Sequence, residues 1–270
     1  RMMSTGQQPR VAVVHGRDRR ENIRQAQLLL GHAYVERIRT AQRIFIHANL
    51  VSDTNQLAST HAEAVRAVLD VISLHQGGEV LIGDASYRDT KRAFRRLGYE
   101  SLRRSGNVRF VDLNDDETVE GFAYDQRFQR SPVRISKTVL DADCVILVVP
   151  AKMHAYTTVS LGLKTHVIGS MVVPRSPFGL HARWPWVHTG YAQAHRTLAD
   201  VYREHPAHAA FIDGRDAMEG NGPTSGTRVE LDWAVGSLDP VAADAVATWL
   251  MGFEVAEIGY LVTLRDAGWT

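Results

Sequence analysis

The run Asp213-Gly-Arg-Asp-Ala-Met-Glu-Gly-Asn-Gly-Pro-Thr-Ser-Gly226 is the strongest local signal in the chain. Gly220, Gly222 and Gly226 permit positive φ and close approach of the backbone to a ligand. Successive amides in such a turn can form an anion-binding nest. Asn221, Gly222, Thr224 and Ser225 are therefore expected to bind substrate. Asp213 and Glu219 are carboxylates able to hold a metal or move protons, and they are the expected metal ligands. No Lys follows the glycines, which rules out a Walker loop.

A second cluster is Pro150-Ala-Lys-Met-His154, followed by Thr157, Thr158 and Lys164. A Lys and a His just past an apolar run can anchor a carboxylate or phosphate and move protons. His154 is the expected acid/base, with Lys152 and Lys164 neutralising the anion. A third group is His181, Trp184, Trp186, His188 and His195, with His188 expected to bind substrate. No helical His-x-x-x-His pair with a following Glu supports a zincin-type site. A histidine–carboxylate site drawn from His154 or His188 with Asp213 and Glu219 stays open. Such a site would hold a divalent metal or iron.

The elements that must position these groups alternate between strand and helix. Strands are predicted at 11–14, 43–47, 79–82, 108–113, 143–149, 209–212 and 228–236. Helices are predicted at 23–38, 61–74, 90–97, 136–140, 158–168, 191–204 and 240–251. Thr60 with Glu63 is the expected capping box for the second of these, and Asp239 with Pro240 opens the last. Residues 118–135 read as a β-excursion. The predicted fold is α/β: a mostly parallel sheet flanked by helices on both faces, with Rossmann-like layering. The run Cys144-Val-Ile-Leu-Val-Val149 is apolar on both faces, as a central covered strand requires. Residues 1–9 read as a disordered or tag-derived N-terminus. Residues 10–270 read as a single α/β domain with a lid-like loop at 169–189.

Ligands of such sheets bind outside the carboxyl ends of the strands. Those ends carry Asn49, Asp84, Asp112 with Asn114, Lys152 with His154, and Asp213. Asn49 is accordingly expected among the substrate-binding residues.

Composition narrows the classes. The chain has 270 residues, 44% of them hydrophobic, enough for a core without disulfides or structural metal. Its one cysteine, Cys144, sits in the apolar run, so neither a disulfide nor an iron–sulfur cluster is expected. The net charge is +1, and the basic stretch from Lys91 to Arg104 reads as a solvated helix face. No nucleic-acid or membrane partner is expected, and the protein reads as soluble and cytoplasmic. A homo-oligomer is left open.

Several pieces together resemble one family. They are Asn49-Leu50; Thr60-His61; Val111-Asp-Leu-Asn114; Leu140-Asp-Ala-Asp143; Val149-Pro150 with Lys152 and His154; Leu161-Gly-Leu-Lys164; Ile212-Asp213; Met218 to Gly226; and Leu238 to Ala245 with Leu250-Met-Gly-Phe253. The chain resembles the domain of unknown function 362 family from about residue 43 to 265. The family usually has Lys-Pro before the Asn of the second strand, where His47-Ala48 stand here. Many relatives carry a cysteine-rich ferredoxin-like module that this chain lacks, so iron–sulfur chemistry does not carry over.

The leading functional expectation is an enzyme acting on a small anionic metabolite by acid/base or metal-assisted chemistry. The alternatives are a metal-dependent redox enzyme using His and carboxylate ligands, and a non-catalytic anion- or metal-binding protein.

Overall fold

The computed structural model describes residues 8–75, 78–105, 107–181 and 187–269. Most of the predicted N-terminal segment, and Trp184 and Trp186 of the predicted lid, lie outside them.

The first half of the chain runs β1 (Val11–His15), α1 (Arg19–Leu30), α2 (His32–Thr40), β2 (Arg43–Ala48), α3 (Ala62–His75), β3 (Glu79–Asp84), α4 (Thr90–Arg96) and β4 (Val108–Asp112). A hairpin of β5 (Thr118–Tyr124) and β6 (Arg130–Ser136) leads through α5 (Lys137–Leu140) to β7 (Cys144–His154) and β8 (Thr158–Ser160). Then come α6 (Gly162–Gly169), β9 (Met171–Val172), α7 (Tyr191–Glu204), β10 (Ala209–Glu219), β11 (Thr227–Val229), β12 (Trp233–Ser237), α8 (Pro240–Leu250) and α9 (Gly259–Asp266).

The main sheet has the order β1-β12-β10-β7-β2-β3-β4, with β11 and β8 as hairpin partners of β10 and β7. The run from β10 to β4 is parallel, and β12 and β1 add antiparallel. β5, β6 and β9 form a separate antiparallel sheet. Period-two alternation divides the main sheet's side chains between two cores. Ile44, Ile46, Cys144, Ile146 and Val148 pack with α1, α2 and α3. Phe45, Val145, Leu147, Val149 and Ala151 pack with residues of α6, α7, α8 and α9. No helix among the described residues is long and apolar enough to cross a membrane.

Several boundaries differ from the sequence reading for local reasons. The helix predicted over 23–38 breaks at Gly31, whose φ of 64° only glycine takes easily. Thr60 does not build a capping box. Its Oγ1 accepts from the Asn49 amide and donates to the Val148 carbonyl, tying β2 to β7. The helix predicted over 158–168 is preceded by β8, which folds back on β7. The strand predicted over 228–236 is two strands, with Asp232 at φ 56° before the second. β10 runs past Asp213 to Glu219 through a register shift. The predicted capping at Asp239 forms, with its side chain accepting from the amides of Val241 and Ala242.

Candidate functional site

The carboxyl ends of β2 and β7 and the body of α6 place Asn49, Lys152, His154 and Lys164 in one neighbourhood. Lys152 is fully buried. Its Nζ donates to Asn49 Oδ1 at 3.1 Å and to the Ala58 carbonyl at 2.6 Å. No carboxylate pairs with it among the described residues, and burial, with Lys164 beside it, holds its ammonium well below the usual lysine range. A neutral amine has two N–H bonds and one lone pair, so two acceptors match its donors.

Asn49 is committed on all sides. Besides receiving Lys152, its Nδ2 donates to Thr165 Oγ1 at 2.9 Å and its carbonyl accepts from the Thr60 amide. It works as a bracket between β2, β7 and α6.

His154 is 7% exposed. Its Nδ1 accepts from the Tyr156 amide at 3.0 Å, so in the neutral ring the proton sits on Nε2. Burial first, then Lys164, His188, Lys152 and His195, push its pKa far down. The imidazole is therefore a neutral Nε2–H donor. His188 stacks on it with ring centroids 5.6 Å apart, and Tyr156 Oη donates to the His188 carbonyl at 2.7 Å.

Lys164 is 8% exposed on α6, close enough to Lys152 and His154 to depress both. Asp244 fixes the start of that helix. Its carboxylate accepts from the Gly162 and Leu163 amides at 2.8 and 3.0 Å and from Tyr260 Oη at 3.1 Å. A Cβ at position 162 would lie 2.9 Å from Asp244 Oδ1, so the glycine of Leu161-Gly-Leu-Lys164 is what admits this carboxylate. Burial pushes the Asp244 carboxyl up to about 7.

The Gly-rich loop is placed differently from the expectation. Gly222 does make a close approach, but to its own chain: a Cβ there would meet the Met153 carbonyl at 1.9 Å. The Ala155 amide donates to the Gly222 carbonyl at 3.2 Å, and Asn55 Nδ2 donates to the Thr224 carbonyl at 2.8 Å. Glu219, Asn221, Thr224 and Ser225 are exposed. The loop braces the β7–β8 turn that carries His154. Asp213 is not brought to Glu219. Its carboxylate is buried and held by Arg19 and by the Arg215 amide, while Arg19 also reaches Asp216 at 2.7 Å. No group of three or more His, Cys, Asp or Glu among the described residues is arranged to hold a metal.

Two further histidines join the neighbourhood without having been singled out from sequence. His166 Nε2 donates to the His205 carbonyl at 2.8 Å, which leaves its Nδ1 to accept from His47 Nδ1 at 3.4 Å. His47 Nε2 then faces Asp84 Oδ1 at 3.5 Å and is buried without a hydrogen-bond partner among the described residues. His47 stands where the resembled family has Lys-Pro, which was the available signal. His195 is a fourth buried imidazole, after His154, His166 and His47. Its Nδ1 accepts from the Tyr260 amide at 2.9 Å, and burial lowers its pKa to about 4.

Comparison with known proteins now bears on this arrangement. The Domain of unknown function (DUF362) matches residues 44–249. The chain belongs to the DUF362 family. Its matched span includes Asn49, Lys152, His154, Lys164 and the 219–226 loop. The DUF362 chain is 26% identical over 237 residues to the Thylakoid-associated protein sll1697 of Synechocystis sp., covering 86% of this chain and 70% of that protein. Its fold is similar to the lactate racemase apoprotein from Thermoanaerobacterium thermosaccharolyticum, with a TM-score of 0.57 at 13% identity. That match covers 91% of this chain, which spans 57% of the racemase chain. At this identity the likeness is one of fold.

Proposed function

We propose that this DUF362 protein is an enzyme acting on a small carboxylate- or phosphate-bearing metabolite at the carboxyl edge of its sheet, by proton transfer. The supporting observation is the set of His154, Lys152 and Lys164, buried together with no carboxylate bound to Lys152. As an ammonium Lys164 receives the anion; after losing that proton to solvent, its amine takes the proton from the carbon beside the carboxylate and returns one drawn from solvent. His154 donates its Nε2–H to the oxygen on which charge develops, as a neutral donor in a dry site can. Lys152 acts from beneath as a positioning residue, and burial with Lys164 beside it drives its ammonium toward the amine. The loop at 219–226 holds the His154 turn in place.

The fold shared with a lactate racemase puts 2-hydroxy carboxylates first among the probes. Lactate, malate and 2-phosphoglycolate are incubated with the protein in deuterated buffer, and exchange at the carbon beside the carboxylate is read by NMR. Exchange is expected for at least one probe. It should fall about 100-fold or more in Lys164→Met and in His154→Gln. Full exchange in both variants overturns the assignment. Saturable binding with no exchange or turnover replaces it with a non-catalytic binding protein.

A further inference from the structure

Three arginines line one cleft whose lining includes none of the residues of the proton-transfer site. The cleft holds about 470 Å³ beyond the carboxyl ends of β3 and β4. Arg88 enters it from the turn after β3, Arg134 from β6, and Arg175 from the segment after β9. These segments are far apart in the chain, so the tertiary fold makes the cluster.

The cleft also carries carboxylates, and each is already committed locally. Asp89 accepts from the Arg92 amide at 2.7 Å, capping α4. Asp112 accepts from Thr90 Oγ1 at 2.8 Å and from the Asn114 amide at 3.1 Å. Asp115 pairs with Lys91 at 2.6 Å. None of the three arginines pairs with a carboxylate among the described residues. Arg134 Nη1 donates to Thr118 Oγ1 and Arg175 Nε to the Gly179 carbonyl, both at 3.3 Å, and each keeps further N–H groups.

Planar guanidinium forks match tetrahedral oxyanions, and several of them suit one doubly charged group better than a single carboxylate. A carboxylate oxygen that already accepts one bond retains lone pairs for a hydroxyl donor. The acidic wall would repel an extended polyanion such as a nucleic acid, and the volume is that of a small-molecule site. We propose that this cleft binds a small polyhydroxylated phosphomonoester, the phosphate on Arg88, Arg134 and Arg175 and the hydroxyls toward Asp112 and its neighbours. The site is separate from the one built on Lys164 and His154.

Titration calorimetry with ribose 5-phosphate, ribose and inorganic phosphate tests this. Ribose 5-phosphate should bind saturably, inorganic phosphate about tenfold more weakly, and ribose not at all. Arg134→Gln and Arg175→Gln, both at exposed positions, should each weaken ribose 5-phosphate about tenfold or more. Lys164→Met and His154→Gln should leave its affinity unchanged. Absence of saturable binding by either phosphate, or wild-type affinity in the two arginine variants, overturns the proposal. Inorganic phosphate binding as tightly as the sugar phosphate overturns its hydroxyl half. Loss of binding in Lys164→Met with retention in Arg134→Gln places the phosphate in the other site, overturning this proposal while leaving the proton-transfer reading intact.

Discussion

Asp213 and Lys152 stand on adjacent strands, β10 and β7, where Asp213 is in register with Pro150. Both are buried, and they carry opposite formal charges. Asp213 has a counter-ion: burial pushes its carboxyl up, and Arg19 pulls it down. Lys152 has two neutral acceptors instead, and burial drives it toward the amine. The strand end with the matched ion pair is thereby a structural joint. The one without it keeps titratable groups shifted far from their usual range.

The largest expected effect tests the joint. Asp213→Ala leaves the largely buried Arg19 with Asp216 alone and the Arg215 amide without its acceptor, and should cost about 3–5 kcal/mol in urea unfolding. Lys152→Met leaves only the Asn49 and Ala58 oxygens short of a donor and should cost about 1–3 kcal/mol. Equal losses in the two variants would break the contrast between them.

A pH series sharpens the other half. His195 is held at about 4, below its unfolded value near 6.5. Below 6.5 the unfolded chain takes the proton first, so this stabilisation is full above pH 6.5 and is lost as pH falls toward 4. The loss should reach roughly 3 kcal/mol. Asp244, raised to about 7, runs the other way: its ionisation in the unfolded chain removes stability as pH rises from about 4 to 7. Comparing wild type with His195→Gln isolates the histidine, and the variant should lose less stability on acidification. Identical slopes would mean that His195 is not a buried neutral ring.

The smallest effect concerns the Gly-rich loop. Glu219 is exposed, so Glu219→Gln should change stability by less than about 0.5 kcal/mol. A larger loss would give this carboxylate a partner beyond those described.

Much of the fold was legible in the sequence. The apolar runs at 43–47 and 143–149 and the Asp239-Pro240 start are local signals, and local energetics produces them. The ends of β7 and β10 were not legible. The strands read over 143–149 and 209–212 continue past those bounds because β8, β11 and each other's backbones supply their pairing. Lys152, His154 and Lys164 could be named as candidates from residue type. Their states could not, because these depend on Ala58, on His195 and on a helix start fixed by Asp244. For the same reason Gly222 was recognised as a point of close approach but assigned to a ligand. The atom it approaches belongs to Met153, far back in the chain.

The placement of β1 has a consequence for the order in which the molecule is made. Val11 pairs with Ser237, and Arg19 with Asp213. On the ribosome the first strand emerges early and waits for nearly every other element to be made before β12 exists to pair with it. Contacts of such long sequence separation slow folding. During that wait β1 has no neighbouring strand and Arg19 has neither Asp213 nor Asp216. Helix α1 waits less, because Gln27 already has the Ala67 carbonyl of α3 to donate to. Setting β12 between β1 and β10 joins an early-made strand to a sheet edge made late.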